Sequence, residues 1–191
     1  MADEIAAKHL EYQLSDTTPS SDKSIAEVRG WFQNCIDNHH GCPKPKSDVL
    51  PTRLIEIQSG NCLRLATRVQ EGPYVALSYC RGGPQKLALV RKNVNNMAKG
   101  FKESDLPLTL QHGIALTRKL GLRYIWIDSL CIIQDDDGDK LRELPKMISN
   151  YQNAYITIGS GSPSCCDGFL GDRARCKLDK DDDIPRDMLQ M

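Results

Sequence analysis

The stretch that most constrains this chain is Leu122-Arg123-Tyr124-Ile125-Trp126-Ile127-Asp128-Ser129-Leu130-Cys131-Ile132-Ile133-Gln134, its most apolar run, interrupted by one carboxylate. A short run of β-branched and aromatic residues behind a glycine, without polar alternation, reads as a strand buried on both faces, as in a parallel α/β sheet. Asp128 then falls at or near the carboxyl end of that strand. Open α/β sheets hold their ligands at the carboxyl ends of parallel strands, so position alone makes Asp128 a site candidate. The competing reading is that its side-chain oxygen caps the turn that follows.

Two further segments have the same character, Tyr74–Cys80 behind Pro73 and Ala154–Ser160, and both are expected to be buried strands. Between the first two lies a helical pattern. Thr109 is the expected N-cap, Leu110, Ile114, Leu116 and Leu120 are apolar, and Gly121 is a stop signal. Strand, helix and strand make a βαβ unit, which is right-handed and requires a parallel sheet. His112, with no partner nearby in sequence, is expected at the surface. Gly113 inside the helix costs about 1 kcal/mol relative to alanine. Behind the strand at 74–79 comes Arg81-Gly82-Gly83-Pro84. Gly82 and Gly83 allow backbone amides and the Arg81 guanidinium to approach a phosphate or carboxylate, although a two-glycine turn is also a common way to leave a strand. Residues 85–105 read as a long surface connection with one short helix, Val94–Phe101.

Upstream, residues 1–22 are polar and read as a mobile leader. Ser24-Ile25-Ala26-Glu27 fits a capping box, and Val28, Trp31, Phe32, Cys35 and Ile36 form one helical apolar face ended by Pro43 and Pro45. Residues 52–57 and 62–67 flank Ser59-Gly60-Asn61 as a hairpin. Cys35, His39 and Cys42 offer three zinc ligands, but their spacing matches no closed structural motif, and buried thiols at a helix end are the favoured reading. The acidic loop Gln134–Asp139 fails the calcium register: with Gly138 as the invariant glycine, the bidentate acid would be Leu144. It reads as a solvated turn, followed by a short helix with Pro145 in its first turn and Met147, Ile148, Tyr151 and Ala154 as apolar positions. Residues 176–191 read as a polar tail.

Composition excludes several classes of function. The 25 basic and 25 acidic residues balance, so no global field draws the chain to nucleic acid or to a membrane. No run of about 18 apolar residues spans a bilayer, and Met1-Ala2-Asp3-Glu4 is acidic where a signal peptide is basic, so a cytoplasmic protein is expected. The eight cysteines then read as reduced thiols.

A set of these residues resembles the fungal heterokaryon incompatibility (HET) domain. They are Tyr74–Cys80 with Gly82, Leu106-Pro107 with Thr109, Trp126-Ile127-Asp128-Ser129-Leu130-Cys131-Ile132-Ile133-Gln134, Glu143, Met147, Tyr151, Asn153-Ala154, and Gly168-Phe169-Leu170 with Arg173. They occur in the family's order, and the run from Trp126 to Gln134 is long enough to be specific. The expected organisation is a leader at 1–22, a helix and hairpin at 23–72 packed on the core, the family domain at 73–175 and the tail at 176–191.

The resemblance implies an intracellular module of non-self recognition that triggers programmed cell death when its allelic or partner signal is met. Action by assembly with copies of itself or with other cell-death signalling proteins is a separate expectation, favoured by Arg81 and by the lack of a glutamate after Glu143. The resemblance also implies distant kinship with Toll/interleukin-1 receptor (TIR) domains, hence a flavodoxin-like, mostly parallel sheet flanked by helices. Some members of that group cleave NAD, which makes NAD a candidate substrate, with no cofactor required. In that reading Arg81, Gly82 and Gly83 hold phosphate, Ser78, Tyr79 and Ser160 line the strand ends, Asp128 meets ribose hydroxyls and Glu143 is the catalytic carboxylate. Two departures weigh against it. Arg81 stands where the family usually has tryptophan, and no glutamate follows Glu143, whereas the TIR-type catalytic glutamate lies well after the third strand.

Overall fold

The apolar run divides at Asp128: Tyr124–Trp126 pairs as a strand, and Asp128–Cys131 coils into a short helix. The computed structural model describes residues 18–41, 49–83 and 85–172. Most of the leader, Cys42, Pro43, Pro45, Pro84, Arg173 and the polar tail lie outside the described residues. In chain order the elements are helix α1 (Asp22–Asn38), strands β1 (Arg53–Ile57), β2 (Cys62–Thr67) and β3 (Tyr74–Ser78), helix α2 (Val94–Lys99) and strand β4 (Phe101–Lys102). Helix α3 (Leu108–Lys119), strand β5 (Tyr124–Trp126), helices α4 (Asp128–Cys131), α5 (Asp137–Glu143) and α6 (Met147–Gln152), and strand β6 (Ile156–Gly159) follow.

The protein is α/β, with one six-stranded sheet in the order β4-β2-β1-β5-β3-β6. The expected parallel unit is present: β3 pairs in parallel with β5 on one side and β6 on the other. The expected hairpin is present too, with Gly60 and Asn61 in left-handed conformations at its turn. It extends the same sheet through antiparallel pairing of β1 with β5, so the sheet as a whole is mixed. The core gathers Leu54, Ile55, Val75, Leu77, Ile114, Ile125 and Trp126, all essentially without solvent contact. Each such side chain contributes roughly 1.5–3 kcal/mol by leaving water.

Several local expectations change. Helix α1 starts one turn earlier than the capping box predicts, with the Ser21 hydroxyl accepting from the Ser24 amide at 3.1 Å. Trp31 points to solvent, and Ile25 supplies the buried contact. Pro107, not Thr109, precedes the first turn of α3. Strand β6 is an edge strand with alternating half-buried and exposed residues, not a strand buried on both faces. The connection after β3 is more than a surface loop. Leu89 is fully buried, its amide donating to the Ser129 carbonyl at 2.8 Å and its carbonyl accepting from the Gln134 amide at 2.8 Å. Gly113 earns its place by proximity: a Cβ there would lie 3.0 Å from Leu77 Cδ2, so glycine lets α3 settle on β3.

The acidic loop is a latch rather than a solvated turn. Asp136 caps α5 by accepting from the Asp139 amide at 3.1 Å and pairs with Arg91 at 3.1 Å. Asp139 is buried and pairs with Arg53 of β1, whose Nε donates to the Cys131 carbonyl at 2.6 Å. Burial pushes the Asp139 carboxyl up, but hydrogen bonds from Arg53 and the Ile133 amide outweigh it, and the net shift is downward. The pair therefore stabilises fully above the ordinary carboxylate value of 3.8 and loses that contribution as pH falls through the depressed one. Arg53→Met removes the nearer of two cations from a buried carboxylate, leaving Arg142 Nη2 at 3.5 Å, and is expected to lower the unfolding free energy by about 3 kcal/mol at neutral pH, the low end for a broken buried pair. Urea titrations across pH check this: the deficit should shrink once the medium is acidic enough to protonate Asp139.

Candidate functional site

Because β5, β3 and β6 run in parallel and in register, their carboxyl ends form one rim. Ala76 is level with Trp126, and Ser78 is level with Gly159. The residues leaving these strands meet there. The Ser160 amide donates to the Ser78 carbonyl at 2.9 Å, and Ser160 Oγ accepts from the Ser162 amide at 3.3 Å. Tyr79 turns inward: its hydroxyl donates to Ser129 Oγ at 2.8 Å and accepts from Gln85 Nε2 at 2.8 Å. Burial, and secondarily the negative charge of Asp128, push the Tyr79 hydroxyl up to about 12, so it remains a neutral donor at physiological pH. Gln85 Oε1 is buried and has no hydrogen-bond partner among the described residues.

The Asp128 carboxylate faces two ways. Its Oδ1 accepts from the Ser129 amide at 2.7 Å, which starts the turn into α4, while its Oδ2 lies 3.9 Å from Arg81 Nη2. Arg81 also donates to Gln134 Oε1 at 3.1 Å, and Gln134 Nε2 donates to the Ile132 carbonyl at 2.8 Å. The side chains of Arg81 and Asp128 are 43% and 33% exposed, so this pair stays in contact with solvent and is worth about 0–1 kcal/mol. Its value is positional: it presents a guanidinium, able to take a carboxylate or phosphate, at the lip of the strand ends.

The segment after β6 closes one side of the rim. Thr109 of α3 donates its amide to the Cys165 carbonyl at 2.9 Å, and its hydroxyl accepts from the Gly168 amide at 3.2 Å. One turn on, His112 Nδ1 accepts from the amides of Phe169 at 2.9 Å and Leu170 at 3.1 Å, with the Phe169 ring edge-on at 5.6 Å. His112 is thus a half-buried backbone clamp, not a surface residue. Gly82 sits in the left-handed region with φ 68°, and a Cβ there would lie 2.7 Å from Ser164 Cα. Gly83 meets nothing comparable, so close approach explains only the first glycine of the pair.

Ser78, Tyr79, Arg81, Gly82, Asp128 and Ser160 therefore gather at the rim. Glu143 is held elsewhere. It is buried and accepts from Thr52 Oγ1 at 2.9 Å and Lys146 Nζ at 2.9 Å. Gln85, Ser129, Gln134 and Tyr151 join the rim network although none of them was expected as a catalytic or ligand-binding residue. The repeated Gln134 contacts match its place at the end of the most specific motif, which is the signal that marks it. Cys35 is half-buried at the end of α1 and His39 is exposed, and their third expected companion, Cys42, lies outside the described residues. Clefts also exist away from the rim, such as one of about 370 Å³ between α1 and the start of β6, lined by Phe32, Leu120 and Tyr155.

Burial lowers the His112 pKa from its ordinary value of 6.5, as expected for an imidazole whose neutral form accepts two amide hydrogen bonds. A depressed value means that the clamp contributes fully above the ordinary value and is lost as pH falls through the depressed one. A nuclear magnetic resonance titration is expected to place the His112 midpoint below 6.5. The Phe169 and Leu170 amide signals should move with that same midpoint.

A comparison with known protein families matches residues 74–189 to the family described as Heterokaryon incompatibility protein (HET). No curated protein and no solved structure matches the chain. The match begins at the first residue of β3, spans the whole rim and covers more than half of the sequence. The chain therefore belongs to the heterokaryon incompatibility (HET) family, and its function is related to heterokaryon incompatibility.

Proposed function

We propose that this HET domain acts in fungal non-self recognition by assembling with copies of itself or with other cell-death signalling proteins, and that assembly leads to programmed cell death. The observation that carries this reading is the state of the two carboxylates on which small-molecule cleavage would depend. Glu143 is buried in bonds to Thr52 and Lys146, which fasten the end of α5 to the segment entering β1. Asp128 holds the Ser129 amide and faces Arg81. Cleavage of a glycosidic bond through an oxocarbenium-like transition state needs a carboxylate beside the ribose; Glu143 is committed to Thr52 and Lys146, and Asp128 has one oxygen held by the Ser129 amide and the other facing a cation.

A second reading is that the rim binds, and turns over, a nucleotide such as NAD, in keeping with distant TIR kinship. Two observations favour it: the half-exposed Arg81 guanidinium at the ends of parallel strands, and the buried Gln85 acceptor without a partner among the described residues. Here Arg81 with the Gly82 and Gly83 backbone meets phosphate, Asp128 meets ribose hydroxyls, and Glu143 supplies the carboxylate after leaving Thr52. Nicotinamide release from NAD separates the two readings. The assembly reading expects no release above a protein-free blank at high protein concentration, and cell death in a fungal host that persists with Asp128→Asn. Release that disappears in both Asp128→Asn and Glu143→Gln would establish the enzyme instead.

A further inference from the structure

Residues 160–172 leave β6 without forming another helix or strand, and α3 is what holds them down. The Thr109 amide donates to the Cys165 carbonyl, and the Thr109 hydroxyl donates to the Ser164 carbonyl at 3.3 Å and accepts from the Gly168 amide. His112 Nδ1 takes the next two amides, those of Phe169 and Leu170. On its other side this strap lies across the exit of β3: the Cys165 amide donates to the Arg81 carbonyl at 3.4 Å, and Gly82 backs onto Ser164. Beneath the strap Cys165 is 1% exposed, with its thiol against the Gln85 side chain. Gln85 is the rim residue whose Oε1 has no partner among the described residues. The strap thus covers the corner of the rim where Gln85 and Tyr79 meet.

Of the side chains that tie the strap, only an imidazole ordinarily changes charge between about pH 5 and pH 8. Protonation turns Nδ1 from an acceptor into a donor facing two backbone N–H groups, so both bonds are lost. The ring also rests on the strap's backbone, since a Cβ on Gly168 would lie 2.6 Å from His112 Cε1. Hydrating a charged ring therefore displaces Gly168, which shares Thr109 with Cys165. No opposing charge offsets this, because burial alone shifts the imidazole. The strap carboxylates Asp167 and Asp172 are exposed, the second accepting from Thr18 at 3.0 Å. On α3, Arg118 pairs with Glu103 and Lys119 with Asp22, and β3 presents only Leu77 to the helix at Gly113. We infer that His112 is a proton-operated catch: neutral, it holds the strap over Gln85 and Tyr79, and protonated, it lets the strap lift and opens that corner of the rim. The inference concerns access to the rim and holds under either reading of its function.

Cys165 and Cys166 report the strap's position, because one is buried and its neighbour exposed. No other cysteine lies between Lys146 and Arg173, so one tryptic peptide carries both. Brief, low-extent labelling of the full chain with N-ethylmaleimide, from about pH 7.5 to about pH 5, followed by mass spectrometry, gives the ratio of Cys165 to Cys166 modification. Below their pKa values acid slows thiols in proportion, so a rising ratio reports opening. In the wild type the ratio is expected to rise about tenfold or more, the effect of roughly one hydrogen bond lost from the closed state, with a midpoint below 6.5. His112→Asn, whose amide oxygen takes the place of Nδ1 but does not titrate, should keep the ratio low throughout. His112→Ala should raise it already at neutral pH, with circular dichroism confirming the fold of both variants. A wild-type ratio that stays flat overturns the inference, as does a ratio that rises in His112→Asn as it does in the wild type, or one that stays low in a folded His112→Ala. Should His112→Ala not fold, the wild type and His112→Asn decide between them.

Discussion

Everything in this fold hangs on one three-residue strand having neighbours on both sides. Tyr124, Ile125 and Trp126 pair in parallel with β3, and Tyr124 and Ile125 pair antiparallel with β1, so β5 joins a parallel half-sheet to a hairpin half-sheet. A strand this short closes few backbone hydrogen bonds, and its hold comes mainly from burying Ile125 and Trp126 among residues of both halves. Trp126 extends that hold to α6, where the Tyr151 ring stands edge-on at 5.2 Å. Because β5 is fixed in the middle, Asp128 can emerge only at the rim.

Charge then does what hydrocarbon contact does elsewhere. Arg53 with Asp139, Glu143 with Thr52 and Lys146, and Glu56 between Arg64 and Arg123 all fasten segments to β1. Burial pushes Glu56 up, but its two arginines outweigh that and hold it below the usual carboxylate range. The buried Arg53–Asp139 pair contributes less net stability than an apolar contact of the same volume, because both partners lose water; in the others only the carboxylate is buried and the cation stays in contact with solvent. They tolerate few alternatives, however, since each buried carboxylate needs a cation or donor at that one place. The hairpin is thereby held in one position against the strand and loop that carry the family's most specific motif.

Periodic features of this chain were legible from residues alone. The hairpin, the crossover helix, the three strand positions and the emergence of Asp128 all follow from apolar spacing and turn chemistry, which are local. What escaped is long-range. Nothing near Asp139 in sequence announces Arg53, so an acidic loop looks solvated until the sheet brings the cation to it. His112 lacks a sequence neighbour because its donors are backbone amides at Phe169 and Leu170, which any residue provides. Ser21 and Ser24 are equivalent as caps by type, and only the path of the chain chose between them. Ile148 fits an apolar pattern yet faces outward, and the buried position of α6 is Asn150 instead. At the rim, Tyr79, Asp128 and Ser160 converge as strand order requires, while Glu143, whose place depends on Thr52 and Lys146, does not join them.

The position of β6 at the end of the sheet has a consequence for solubility in concentrated solution. An open flank of backbone donors and acceptors is a template for fibrous stacking, a hazard that grows for any protein gathered at high local density. Here the flank is only four residues long, with exposed Thr157 between its two isoleucines and exposed Gly159 at its end. Its entrance is screened by Phe32 of α1, whose ring lies 4.4 Å from that of Tyr155. A short, interrupted and partly screened edge lets molecules crowd together while disfavouring irreversible strand-on-strand growth.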